Sequence, residues 1–158
     1  MKTNEKVVIA GINKLSLVNG DGCRVVVFLQ GCAHHCKGCQ NPDTWDFGAG
    51  QSWEVRNLAA YLNSLFERHP LDGLTLSGGD PMYQEEACLE LLRLMPENLN
   101  VWMYTGFRYE EIKERPLARR CDVIVDGEYI ESMHCEGMPY GSTNQRIIRK
   151  ENESNAEI

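Results

Sequence analysis

No run of apolar residues in this chain is long enough to cross a bilayer. The first six residues lead into only Val7, Val8 and Ile9, too short a stretch for the hydrophobic core of a secretory signal. Excess positive charge is lacking too: 16 Lys and Arg stand against 23 Asp and Glu, giving a formal net charge of -7 and a pI near 5.1. A surface of that sign is not built to neutralise many phosphates, so neither nucleic acid nor a membrane is expected as a partner, and the expected location is cytoplasmic. There is no internal repeat, no low-complexity block and no linker-like segment. There is no disulfide framework either. The seven cysteines are an odd number; Cys32, Cys36 and Cys39 fall within eight residues, while Cys23, Cys88, Cys121 and Cys135 are scattered. In a reducing compartment such a tight cluster points to a metal or catalytic site.

What is present is ordinary for a globular chain, with 42% hydrophobic and 25% charged residues. At 158 residues it is long enough for one domain with a real core and too short for a complete eight-unit βα barrel with insertions. One domain is expected over residues 1–150, followed by a polar, acidic tail, 151–158, that frays. Strand-like apolar runs recur at 7–10, 24–29, 73–76, 101–104, 123–125 and 146–148. Between them lie two helical patterns. The first puts Val55, Leu58, Ala59, Leu62, Leu65 and Phe66 on one face behind a cap at Ser52 and ends before Pro70. The second groups Ala87, Cys88, Leu91, Leu92 and Met95 and ends before Pro96. Strands alternating with helices predict parallel βα units covered on both faces. The predicted fold is α/β, an incomplete, laterally open (βα) barrel of about five or six parallel units.

The unusual residues all follow strand-like runs. Residues 31–39 follow the run at 24–29, Ser77 to Pro81 follow 74–76, Thr105 and Gly106 follow 101–104, and Asp126 and Gly127 follow 123–125. Ligands of parallel α/β folds collect at the carboxyl ends of strands, so these segments predict one site assembled from four loops. Cys32, Cys36 and Cys39 have the spacing Cys-x3-Cys-x2-Cys. Thiolates are the usual ligands of iron-sulfur clusters, and a cubane ordinarily takes four, so three leave one iron open for a further ligand. A structural zinc site completed by His34, His35 or a distant cysteine fits the same triplet, although compact zinc modules usually show a second ligand pair that is missing here. His34 and His35 themselves are expected to be exposed loop residues.

The cysteine triplet followed by Ser77-Gly78-Gly79-Asp80-Pro81 resembles the radical S-adenosylmethionine superfamily. Two positions depart from its common pattern: Gly38 stands where an aromatic residue often precedes the third cysteine, and Asp80 stands where Glu is usual. Both point to a subfamily, marked by the form Cys-x-His-x-Cys-x-Gly-Cys-x-Asn, here Cys32, His34, Cys36, Gly38, Cys39 and Asn41. That form is similar to the activating proteins of anaerobic ribonucleoside-triphosphate reductase. The resemblance continues through Tyr104-Thr105-Gly106-Phe107, Val125-Asp126-Gly127-Glu128-Tyr129 and Gly141-Ser142-Thr143-Asn144-Gln145-Arg146-Ile147, and so covers nearly the whole chain.

The resemblance implies a 4Fe-4S cluster on Cys32, Cys36 and Cys39, with S-adenosylmethionine on its open iron. Gly78 and Gly79 would contact the cofactor amine with Asp80 nearby, since glycines admit close backbone approach and an acid can pair with an ammonium group. Gly38, Cys39 and Gln40 would line the adenine side. No catalytic side chain is implied beyond the cluster and cofactor site. The implied activity begins with an electron from reduced flavodoxin or ferredoxin and proceeds through a 5′-deoxyadenosyl radical to a glycyl radical on the reductase large subunit. Alternatives are an activase of another glycyl radical enzyme, a small-molecule radical enzyme, and, from a different class, a zinc-stabilised interaction module. Cys88 and Cys121, the latter opening a strand, are expected in the core. The arginines between 115 and 120 read as a solvated helix end, with partner or electron-donor contact as the alternative. Cys135 is left without a role.

Overall fold

The computed structural model describes residues 5–32, 34, 46, 50–135 and 140–150. The tail 151–158 lies outside them. The chain runs β1 (Lys6–Ser16), β2 (Arg24–Leu29), β3 (Gln51–Glu54), α1 (Val55–Arg68), β4 (Gly73–Gly78), α2 (Glu85–Arg93), β5 (Val101–Tyr104), α3 (Tyr109–Ile112), α4 (Pro116–Arg120), β6 (Val123–Asp126) and β7 (Arg146–Arg149). The seven strands form one open sheet in the order β3-β1-β2-β4-β5-β6-β7.

The near-continuous apolar runs became the central strands, as runs buried on both faces should. β2, β4, β5 and β6 lie parallel, with Val25 opposite Leu74, Leu74 opposite Val101 and Trp102 opposite Val123. The parallel set is therefore smaller than the five or six units expected. β1 pairs antiparallel with β2 and β3, and β7 pairs antiparallel with β6. Connection length explains the difference. A parallel return needs a crossover of about a dozen residues or more, usually a helix. The segment 17–23 between β1 and β2 is too short for that, and the described part of the segment between β6 and β7 holds only a 3₁₀ turn, Glu131–Met133.

β3 also displaces the predicted helix start. Ser52 lies inside this strand, opposite Val8, and the helix begins at Val55 after Glu54, with the Val55 amide donating to the Glu5 carbonyl at 2.8 Å. Pairing with β1 overrides the local capping preference. From there α1 follows its pattern: Val55, Leu58, Ala59, Leu62 and Leu65 are buried, and the helix stops at Arg68 ahead of Pro70. α2 buries Ala87, Cys88, Leu91 and Leu92, and Met95 just beyond it is buried too.

α1, α2 and α4 pack side by side on one face, and their apolar stripes meet Val25, Val27, Leu74, Leu76, Val101, Met103 and Ile124 of the sheet. The second face is covered by a loop. There Trp102, Val123 and Val125 pack with Tyr104, Tyr140 and Ile147, and the segment 17–23 folds over them. The Thr75 hydroxyl donates to the Asn19 carbonyl at 2.7 Å. Arg24, almost fully buried, donates to Thr75 Oγ1 at 2.8 Å, to Leu74 O at 2.9 Å and to the carbonyls of Asn100 and Asp21 at 3.0 Å. Burial pulls its guanidinium below the usual arginine range, opposed by Asp21. Arg24 and Arg149 lie 5.7 and 5.2 Å from the Trp102 ring centroid, within cation–π range. Among the described residues no helix is long and apolar enough to cross a membrane.

Leu62 is fully buried at the centre of the helix-side core. Leu62→Ala is expected to cost about 2–5 kcal/mol, from lost transfer energy plus a cavity, and to lower the urea midpoint without changing the slope of the transition.

Candidate metal and cofactor site

The carboxyl ends of β2, β4, β5 and β6 come together at one edge of the sheet. β2 and β4 end level, with Leu29 opposite Gly78. The Gly79 amide donates to Leu29 O at 2.8 Å and the Asp80 amide to Gly31 O at 2.9 Å, so the Gly-Gly-Asp loop is bonded directly to the start of the cysteine loop. Gly78 has φ +103, and a Cβ there would collide with the Leu29 backbone. Its glycine is thus required first by the neighbouring strand, a reason distinct from the approach to a ligand. Cys32 is buried one residue further along the same loop.

The Asp80 side chain is completely buried and is the meeting point of the edge. Its Oδ1 accepts from the Met82 amide at 3.1 Å, which caps the 3₁₀ turn Pro81–Gln84, and from the Thr105 hydroxyl at 2.9 Å. Its Oδ2 accepts from the Gly106 amide at 2.9 Å and lies 2.8 Å from His34 Nε2. His34 Nδ1 in turn lies 2.8 Å from Glu128 Oε2. Two carboxylates can only accept, so the arrangement favours a ring that donates from both nitrogens. Its pKa is raised, first by the hydrogen bond to Asp80, against the opposing effect of burial. The ring meets Phe107 edge-on at 4.8 Å and Tyr83 at 5.8 Å, and it lies where a Cβ on Gly106 would stand, within 2.6 Å of His34 Cδ2.

This corrects the expectation for His34: it is no exposed loop residue, since its side chain is only 11% accessible. Its partners lie 46 and 94 positions away in the sequence, so no local pattern announced them. Thr105, Gly106 and Glu128 were visible beforehand only as residues at strand ends.

A second buried carboxylate, Asp126, closes β6. It accepts from the Tyr109 amide at 2.7 Å and from Arg146 Nε at 3.1 Å, while Arg146 also reaches Glu110 at 2.8 Å. Bonding to Asp126, then to Glu110, raises the Arg146 pKa further above its ordinary value. Beside it, Gln145 Oε1 accepts from the amides of Gly141 and Ser142, and its Nε2 donates to Gly127 O at 2.9 Å. Asn144 Nδ2 donates to Glu128 O at 2.9 Å. The motif from Gly141 to Ile147 is therefore a brace for the loop after β6. Between the β5 and β6 loops lies a cavity of about 370 Å3, bordered by His34, Gly106, Phe107, Arg108, Glu128 and Asn144.

Of the residues proposed from sequence, Cys32, Gly78, Gly79 and Asp80 are brought together here. Cys36, Cys39, Gly38, Gln40 and His35 lie outside the described residues. The donor chemistry fits an iron-sulfur group: Cys32, the one thiol of the triplet among the described residues, is buried at the strand edge, and the chain just before it is bonded to the glycine loop through Leu29 and Gly31. Cys88 and Cys121 are in the core as expected, although Cys121 closes α4 rather than opening β6. Burial pushes both thiols up, Cys121 to about 12, which leaves them unreactive. Two of the three arginines pack locally. Arg115 pairs with Glu85, and Arg120 donates to Leu99 O at 3.2 Å and lies 3.7 Å from Asp122.

Residues 18–148 match the family described as "4Fe-4S single cluster domain". The chain is 39% identical to the anaerobic ribonucleoside-triphosphate reductase-activating protein of Enterobacteria phage T4, over 82% of this chain and 86% of that one. It is 35% identical to the protein of the same description from Vibrio cholerae (85% and 93% covered) and 33% identical to that from Haemophilus influenzae (84% and 92%). Among solved structures, QueE from Escherichia coli superposes with a TM-score of 0.52 at 16% identity, over 64% of this chain and 52% of that one, a likeness of fold. The chain belongs to the family of anaerobic ribonucleoside-triphosphate reductase-activating proteins.

Thr105→Val deletes a hydroxyl that bonds both oxygens of the buried Asp80 carboxylate. The expected cost is about 1–3 kcal/mol, seen as a lower urea midpoint. An unchanged midpoint would show that Asp80 does not depend on Thr105.

Proposed function

We propose that this chain activates anaerobic ribonucleoside-triphosphate reductase by generating a glycyl radical on its large subunit, using a 4Fe-4S cluster and S-adenosylmethionine. The observation that carries the reading is the direct bonding of the Gly78-Gly79-Asp80 loop to the cysteine loop through Leu29 O and Gly31 O. The start of a segment that resembles a cluster-binding motif and one that resembles a cofactor-binding motif, some 40 residues apart in sequence, thus meet in space at Gly31 and Asp80.

In this reading Cys32, Cys36 and Cys39 hold the cluster and leave one iron for the cofactor. When bound, the cluster and S-adenosylmethionine supply reductive cleavage of a sulfonium and, through it, removal of a hydrogen atom from a glycine. The chain's own residues bind and orient. Gly78 and Gly79 present backbone to the amine end of the cofactor. Asp80 holds that backbone still, because its carboxylate oxygens are occupied by Met82, Thr105, Gly106 and His34. Gly38, Cys39 and Gln40 line the adenine side by family position. The sheet ends in β3 on one side and β7 on the other, which do not pair with each other, and this lateral opening suits a substrate that is a loop of another protein. Reduced flavodoxin or ferredoxin supplies the electron, and the whole exchange takes place in the cytoplasm within one domain, residues 1–150.

Cys36→Ala is expected to lose the cluster after anaerobic reconstitution, whereas Cys88→Ala, on the buried face of α2, keeps iron at wild-type stoichiometry with a modest fall in stability. Equal iron loss in both would refute the ligand assignment. The function itself is tested by combining reconstituted protein, reductant, S-adenosylmethionine and the reductase, and recording electron paramagnetic resonance spectra. A glycyl doublet that requires every component is expected. Cofactor cleavage without the doublet would exclude this protein substrate, and colourless protein that takes up zinc but no iron-sulfur cluster would exclude the radical chemistry.

A further inference from the structure

We propose that His34 is a positioning residue, a cross-brace that ties the stretch of chain just after Cys32 to the cofactor loop at Asp80 and to the loop after β6 at Glu128. The inference rests on the activase reading given above.

Three of the four loops at the sheet edge are tied to one another by bonds that do not involve His34: Thr105 and Gly106 bond Asp80, the Tyr109 amide bonds Asp126, and the Gly127 amide bonds Phe107 O. The loop after β2 is different. Its backbone is tied to the β4 loop as far as Gly31. Beyond that point His34, which stands between Cys32 and Cys36 in the sequence, reaches back into the edge with its side chain. The ring is held along two axes, because Nε2 bonds Asp80 of the β4 loop and Nδ1 bonds Glu128 of the β6 loop.

The surroundings are shaped for that ring. Gly106 has no Cβ where the imidazole lies, Phe107 meets it edge-on, and Tyr83 packs at 5.8 Å. The two ends of the brace are unequal. Asp80 is completely buried, whereas the Glu128 side chain is 51% accessible and therefore adaptable. The Asp80 end fixes position, and the Glu128 end fixes the rotation of the ring. A histidine that merely filled space would need neither two carboxylates from different loops nor a glycine cut to its outline. Groups that orient first-sphere metal ligands in this way typically change affinity or activity about 10–100-fold when removed.

The test uses the full chain after anaerobic reconstitution with iron and sulfide, comparing wild type with His34→Ala, His34→Gln and His34→Asn. Three quantities are read: iron per chain, the dissociation constant for S-adenosylmethionine by equilibrium dialysis, and the change that S-adenosylmethionine causes in the spectrum of the reduced cluster. His34→Ala is expected to keep its iron, to bind S-adenosylmethionine at least about tenfold more weakly, and to lose the cofactor-induced spectral change. The glutamine amide can occupy the place of Nε2 and bond Asp80, so His34→Gln should recover most of the affinity. The asparagine amide mimics Nδ1 and should not. Wild-type affinity and spectrum in His34→Ala would overturn the inference alone. So would loss of iron in His34→Ala that His34→Gln does not restore, because that is the mark of a purely structural histidine. Wild-type protein that takes up the cluster but binds no S-adenosylmethionine would overturn the activase reading and this inference with it.

Discussion

A carboxylate sealed from water is costly unless donors surround it, and at Asp80 that requirement organises the whole functional edge. The donors come from the 3₁₀ turn after β4, from the end of β5 and from the cysteine loop after β2. Each is held because the others complete the shell of the same side chain, and His34 extends that shell to Glu128 after β6. The edge is therefore cooperative: four loops share one electrostatic centre rather than four separate anchors.

The Asp126–Arg146 pair does a similar job with a different chemistry. Asp80 is satisfied mainly by neutral donors with one histidine, whereas Asp126 is gripped by a guanidinium from β7 and a backbone amide of α3. A guanidinium keeps its charge at any pH that proteins meet, and its fork fixes orientation as well as distance. The β6 loop thus has a permanent brace at Asp126, and a ring-mediated contact with His34 at Glu128.

The parallel strands were legible in the sequence because burial on both faces leaves a near-continuous apolar run, as at Val25, Val26 and Val27. Helix faces were legible for the same kind of reason, through the 3.6-residue period of α1 and α2. β3 was not. Gln51, Ser52, Trp53 and Glu54 are exposed or half-buried, and they form a strand only because β1 offers its edge. The antiparallel flanks were likewise hidden, since strand direction follows from how much chain separates two runs. At the site, the residue types and their places after strands were readable, and so was the glycine at 78. The reason for that glycine was not, because it lies in the backbone of Leu29. Nor could sequence show that the histidine of the cysteine motif would turn inward, since Asp80 and Glu128 reach it only after three crossovers have formed.

Among the described residues β7 is the last strand in chain order, and it delivers Arg146 to Asp126 and lets Gln145 and Asn144 support the turn after β6. On the ribosome, Asp126 emerges well before its cation does. Until residues 141–149 have been synthesised, β6 carries an acidic end with no guanidinium and an unpaired outer edge. The sheet can form early around β1, β2 and β4, but the site matures last, and a nascent chain cannot present a complete one.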